Sequence, residues 1–400
     1  MTNEDPTGDN DPFGGLPFFG DLSKLFGSSG PVNWDAARQI AVGLATGGES
    51  ESNVDPADRV RMSDLSRVAE LHVATVTGLD TGVGGRSPTV VPVTRTEWAT
   101  RTLADYRDLF EHLATGLSTP DGPAPGPEFP DQAAQMLSGL MQMMAPMMMA
   151  MSTGSMVGHL AERALGSYDL PIPRPPRSEI VVVSHNVHAF ADEWSISFDE
   201  TALWICIREL IFNTVFGIPH VRDALQTRLN QYVAGFSNDP NALQAKLGDL
   251  ERISDPGDLQ GQIQQIFGDP EVLLGAIRSP AQERMLPELE ALVAVLVGYV
   301  DHIQDRIGGG LVGSYGRLTE AMRRRRITAG PHDRFVERIL GLDLRPALIE
   351  RGRAFIEGVV ERDEEGGLAR LWSEPRNLPT PAEVDAPGLW LARIDLPDVD

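Results

Sequence analysis

Apolar positions along this 400-residue chain fall mainly at helical spacing, in steps of three or four residues. The helical pattern begins after Asn33. Asp55-Pro56 then opens a helix, because the Asp side chain accepts a free N–H and proline at the first helical position has no N–H to leave unpaired. The apolar stripe of that helix runs through Met62, Leu65, Ala69, Val73 and Val76. Thr94 and Glu97 have the spacing of a capping box and open a second helix through Trp98, Leu103, Tyr106, Phe110 and Leu113. Further along, DETALWICIRELIFNTVF predicts a helix over 199–216, and a long helix is predicted over 281–307. The one clear strand signal is the β-branched run Ile180 to Val183 within EIVVVSHNVHAF, preceded by four prolines between 171 and 176. The predicted class is mainly α with a small β-sheet (α+β), helical to about residue 178, then the strand, then helices again.

Punctuation sets the boundaries. Two Asp-Pro steps, Gly14-Gly15 and Gly30-Pro31 make residues 1–30 a mobile tail, and its Phe13, Leu16, Phe18 and Phe19 give it a surface that can dock on the body or on a partner. Residues 31–400 are read as a single domain, with a loop over 120–130. From Gln132 to Ala161 there is no charged residue, a length that could cross a bilayer. Nine of the thirteen methionines fall between 136 and 156, interrupted by Gln142, Pro146 and Ser152, and few of the Leu, Ile, Val and Phe side chains that drive insertion are present. The segment is therefore read as a buried or adaptable helix and not a membrane span.

The charge excludes several partners. With 34 Lys and Arg against 57 Asp and Glu the net charge is −23, which repels nucleic acid and anionic membranes. A single cysteine, Cys206, allows no internal disulfide and is read as a buried small hydrophobe; no basic and apolar leader follows Met1, so the expected compartment is the cytoplasm. None of the eight histidines pairs at the i, i+4 spacing of a helical metal site. His185 and His188 come closest, but three apart on a strand they point to opposite faces, and on a helix they would still need a third ligand that the sequence does not offer. Arg323 to Arg326 read as a solvated helix face, and the glycines at 82–85 and 308–310 as turns.

Several separated blocks carry a resemblance: PVNWDAARQIA at 31–41, GSYDLPIP before the strand, ALWICIRELIFNTVFGIPHVRDAL, VGYVDHIQD at 297–305, and GLDLRPALIERGRAFIEGVV at 341–360. In these the chain resembles an actinobacterial family of zincin-like metallopeptidases, candidate hydrolases associated with deazaflavin-coenzyme biosynthesis. The resemblance implies a zincin-like fold whose active helix carries W-x-x-x-H-E-x-x-H and whose later helix carries E-G-x-x-D-H, with both histidines and the second glutamate as zinc ligands. Aligned on Trp204 and Glu209, the two histidine positions are Arg208 and Phe212; aligned on Gly298, Asp301 and His302, the glutamate position is Val297.

Zinc in a catalytic site takes three protein ligands and a water, and an arginine, a phenylalanine and a valine provide none. Two unit charges about 4 Å apart interact by about 4 kcal/mol at an effective dielectric near 20, so a divalent ion beside Arg208 meets a repulsion of about 8 kcal/mol. Glu209 keeps the general-base position but has no metal-bound water to deprotonate. Arg208 is expected to fill the place of the metal, paired with Glu209, Asp301 or both. The expected function is that of a zincin-fold homologue without zinc or other cofactor, acting as a binding, scaffold or regulatory protein. Its partner would be a protein or peptide, an intact paralogue included, with oligomers possible. The alternative is an active zinc-dependent hydrolase with a non-standard metal site built from Asp301, His302, Asp305 and Glu209.

Overall fold

A computed structural model of the chain describes residues 30–82, 84–118, 131–238, 276–277, 279–328, 330–342 and 344–397. The tail at 1–29 and the loop at 120–130 lie outside the described residues. Helices dominate. In chain order the elements that bear on the site are α1 (Trp34–Ala45), α2 (Pro56–Thr77), β1 (Thr89–Val93), α3 (Arg95–Asp105), α4 (Arg107–Ser118), α5 (Asp131–Arg163), β2 (Glu179–Val183), α6 (Ser184–Glu193), α7 (Phe198–Gly217) and α8 (Pro219–Ala234). After the two-residue pair Ser237–Asn238 and Ala276–Ile277 come α9 (Pro280–Leu311), α10 (Tyr315–Ile327), α11 (Pro331–Ile339) and α12 (Pro346–Leu371), then short C-terminal helices.

Local chemistry sets the helix starts. Asn33 caps α1 through the amide of Ala36, Asp55 caps α2 through Ala57, and Ser197 caps α7 through Glu200. Thr94 caps α3 through the Glu97 amide, but Glu97 turns its carboxylate to Arg101, and Glu51 takes the amides of Arg95 and Thr96 instead. The long helices extend past their predicted ends, with α9 covering 280–311 where 281–307 was expected.

The sheet differs from the sequence reading in two ways. Its second strand is Thr89–Val93, which pairs parallel with β2 from Thr89 opposite Glu179 to Val93 opposite Val183. TVVPV is short and carries Pro92, which cannot donate to a ladder, so no clear strand signal survives there. The second difference is that a helix follows the strand at once, which settles His185 and His188 on a helix where the sequence left strand or helix open. The strand ends at Val183 and both histidines lie on α6, where His185 is exposed and His188 places Nε2 2.9 Å from Asp58.

Two helices form the centre of the core. Every residue of α7 from Thr201 to Phe216 is buried except Arg208, and α9 is buried almost continuously from Ala291 to Val300. A helix that is apolar all round has to be covered on all sides, and α7 is packed by α2, α6, α8 and α9. The methionine-rich α5 lies against α1 through small residues, since a Cβ on Gly154 would come within 2.6 Å of the Ala37 carbonyl oxygen. Among the described residues no single helix is long and apolar enough to cross a membrane; α7 and α8 together have the apolar length but bend by 92°.

Close approach also fixes α9 against α12. A Cβ on Gly352 would lie 1.9 Å from the Ala294 carbonyl oxygen, and one on Gly298 would lie 2.5 Å from the Gly352 backbone. Gly352→Ala is expected to cost about 2 kcal/mol or more in denaturant unfolding, by overpacking a backbone contact that no rotamer change relieves. Gly309→Ala, where a Cβ has open space within α9, is the control and is expected to be neutral or stabilising by up to about 1 kcal/mol, since alanine favours the helix over glycine.

Candidate functional site

Arg208 and Glu209 are consecutive on α7, so their side chains leave the helix about 100° apart. They serve different neighbours. Arg208 donates from Nη1 to Asp301 Oδ1 of α9 at 2.8 Å, with Gln304 Oε1 at 3.5 Å. Asp301 is held from the other side by Arg326 of α10, whose Nη1 and Nη2 reach its two oxygens at 3.3 and 3.4 Å. Gln304 also donates to the Trp204 carbonyl at 3.1 Å, tying α9 to α7 one turn before Arg208. The guanidinium of Arg208 lies 5.0 Å from the centre of the Phe212 ring, a cation–π distance. Phe212 is fully buried and stacks on Tyr168 with ring centres 5.7 Å apart, and Val297 is buried on α9.

Electrostatics follow from this packing. Burial, with Arg326 close by, lowers the pKa of Arg208 despite the counter-charge of Asp301. Burial pushes the Asp301 carboxyl upward, but Arg326 and Arg208 outweigh it and hold the group below its ordinary value.

Glu209 turns away, toward the segment between α5 and β2. Its Oε2 accepts the Ser167 amide at 2.7 Å, and both oxygens accept the Tyr168 amide. That segment runs antiparallel beside β2, with the Val183 amide donating to Leu165 and Ser167 Oγ exchanging hydrogen bonds with Val181. Gly166 is required at this contact, because a Cβ there would come within 2.3 Å of the Glu209 carboxyl carbon. Behind it the buried Arg174 donates to the Ser167 carbonyl, to Asp105 and to Thr102, and lies over the rings of Trp98 and Tyr106. Burial, with Asp169 adding to it, pushes the pKa of Glu209 up to about 8 against the opposing pull of the Tyr168 amide and the two arginines.

The remaining groups of the sequence-level site separate. His302 lies 3.5 Å from Glu365 of α12, and Asp305 accepts the hydroxyl of Tyr315. Together with Asp301, already held by two arginines, they point to three different partners and form no shared centre. Among the described residues no group of three His, Cys, Asp or Glu side chains could hold a metal ion. A guanidinium anchored to Asp301, a buried ring and a buried isopropyl group do not fit zinc. Cys206 is fully buried, and burial raises the pKa of its thiol.

Sequence reasoning missed two residues. Arg323 and Arg324 are solvated, but Arg325 and Arg326 turn inward, with 19% and 28% of their side chains exposed. Arg325 reaches Asp169 and the Arg163 carbonyl, and Arg163 pairs with Asp333 of α11. Four consecutive helical residues cover the whole circumference of a helix, so RRRR could not lie on one face. These arginines line a cleft of about 110 Å³ between α3, α5, α7, α10 and α11, with Arg208 in its wall and Glu209 not among its lining residues.

A helical domain built round a long buried helix, with a second helix supplying the facing carboxylate, defines the class. The chain belongs to the zincin-like metallopeptidase family, whose model matches residues 32–391. It is similar in fold to a candidate hydrolase with a novel fold from Chloroflexus aurantiacus, known from a crystal structure, at a TM-score of 0.63 and 20% identity, covering 92% of this chain and 100% of that one. No curated protein matches the chain in sequence.

Two outcomes are expected. Asp301→Ala leaves two cations facing each other in a largely buried site and should cost about 3–5 kcal/mol in urea unfolding. For Glu209, the raised pKa means that the folded state prefers the protonated acid. Its contribution to stability is complete below the unfolded pKa near 4.5 and is lost as pH rises to about 8. Thermal scans should show the midpoint falling over that window, and Glu209→Gln should flatten the fall.

Proposed function

We propose that this chain is a zincin-fold protein without zinc or peptidase chemistry, acting through binding at its cleft as a scaffold, subunit or regulator. The observation that carries the reading is the Arg208–Asp301–Arg326 cluster, in which a fixed cation stands at the position of the first histidine of H-E-x-x-H. Phe212 and Val297, at the other two ligand positions, are packed into the core and offer no lone pair. Glu209 supports the same conclusion, because its carboxylate is engaged with two backbone amides and does not line the cleft. A general base has to be within hydrogen-bond reach of the proton it takes, and this one faces the protein interior.

The partner is a protein or peptide, and an intact paralogue carrying H-E-x-x-H is one form it can take. The single buried cysteine and the acidic charge fit a reducing, cytoplasmic setting. Metal analysis of the purified chain after incubation with zinc tests the reading. The expected result is below about 0.1 zinc per chain, with a melting temperature indifferent to chelator, since a bound structural or catalytic metal would add its binding energy to folding. Stoichiometric zinc lost to chelator with a fall in melting temperature would overturn it.

A further inference from the structure

The charged side chains lining the cleft are Arg163, Arg208, Arg325 and Arg326, with Asp169, Asp333 and Glu337. Two arginines are matched one to one, Arg163 with Asp333 and Arg325 with Asp169. The other two are not. Arg208 and Arg326 share Asp301, and both reach its Oδ1, at 2.8 and 3.4 Å. Two cations sharing one carboxylate leave this pair of arginines a charge short, although Glu337 brings the cleft as a whole to four cations and four carboxylates with Asp301 counted. The pair sits largely out of water, with 11% of the Arg208 side chain and 28% of the Arg326 side chain exposed. The proximity of Arg326 is, after burial, the next cause of the lowered pKa of Arg208, so a further anion accepting from both would relieve an existing repulsion. A guanidinium presents five N–H donors in a planar fork, and Nη1 alone makes the hydrogen bonds of Arg208 to Asp301 and Gln304.

The rest of the wall limits what the anion can be. Asp169, Asp333 and Glu337 would repel a dianion such as phosphate more strongly than a single carboxylate. Trp98, Leu160, Leu170 and Met322 give the cleft an apolar side.

We propose that the cleft binds a ligand carrying one carboxylate on an apolar body, the carboxylate accepting from N–H groups of Arg208 and Arg326 that Asp301 leaves unused and the body against Trp98, Leu160 and Met322. This rests on the reading that the cleft binds without hydrolysing. A free aliphatic acid and the C-terminal residue of a peptide both supply this chemistry.

Calorimetric titration of the full chain with N-acetyl-leucine, hexanoate, N-acetyl-leucinamide and inorganic phosphate tests it. The acids should bind saturably at one site, with the amide and phosphate at least about tenfold weaker, because the amide brings no charge to the two arginines and the acidic wall repels a dianion more than a carboxylate. N-acetyl-leucine above hexanoate identifies a peptide C-terminus as the source, and the reverse order a free acid; either supports the site. Arg326→Met should weaken the acids by about tenfold or more. Arg326→Lys, which keeps the charge but loses the fork, should weaken them less. Arg323→Met, on the solvated side of the same helix, should leave them unchanged. The proposal is overturned if neither acid binds, if the amide or phosphate binds as well as the acids, or if both Arg326 variants bind like the wild type. Such a result with a zinc-free chain would remove the ligand class and leave the non-hydrolytic reading standing.

Discussion

A guanidinium on a helix buried on all sides needs a counter-charge where it stands, and Asp301, shared with Arg326, is the one that meets Arg208. The contact constrains several elements together. It sets α9 against α7 at the turn where Gln304 donates to the Trp204 carbonyl, and it brings in α10, because Arg326 holds the other side of the same carboxylate. The approach of α9 to α12 through Gly298 and Gly352 supports the same helix from behind. An ion pair in such a place is weak evidence for high stability, since burying both charges costs much of what their attraction returns. What it supplies is a fixed arrangement, because any other placement of α9 leaves a charge unpaired.

Glu209 explains why its neighbour needs a partner from elsewhere. Helical geometry turns the two side chains in different directions, and the carboxylate is taken up by the backbone of Ser167 and Tyr168. Gly166 makes the room for it, and Arg174 organises the same segment from its far side. The two adjacent side chains thus serve two separate regions. One is a polar anchor for the chain entering β2, and the other is an arginine-lined cleft closed by α10 and α11.

Much of this was legible in the sequence. Capping residues and helical spacing located α2, α7 and α9 and the start of α3, but ran α3 and α4 together as one helix where the chain breaks at Tyr106, and the separated motif blocks pointed to the family. The assignment of Arg208, Phe212 and Val297 to the family's ligand positions rests on the resemblance alone, while Asp301 and Glu209 were both named as carboxylates that could meet Arg208. Which of the two would meet Arg208 depends on how α9 lies against α7, and spacing within one helix does not contain that. Thr89–Val93 escaped because a five-residue strand with a proline carries little pattern, and its partner arrives after an intervening 85 residues. Whether His185 and His188 lay on a strand or a helix stayed open because the chain passes from one to the other without a turn signal at Val183–Ser184. Arg325 and Arg326 were hidden in a charge run that composition alone assigns to solvent, although helical geometry forbids all four from sharing one face.

The most direct measurement is a double-mutant cycle on Arg208→Met and Asp301→Asn, with unfolding free energies for the wild type, both single variants and the double variant. A buried pair that fixes α9 against α7 predicts a coupling of about 1.5 kcal/mol or more, within the range for residues in contact. Additive losses, with a coupling below about 0.5 kcal/mol, would mean that the two side chains act independently and that Arg208 does not stand in for a metal at this site.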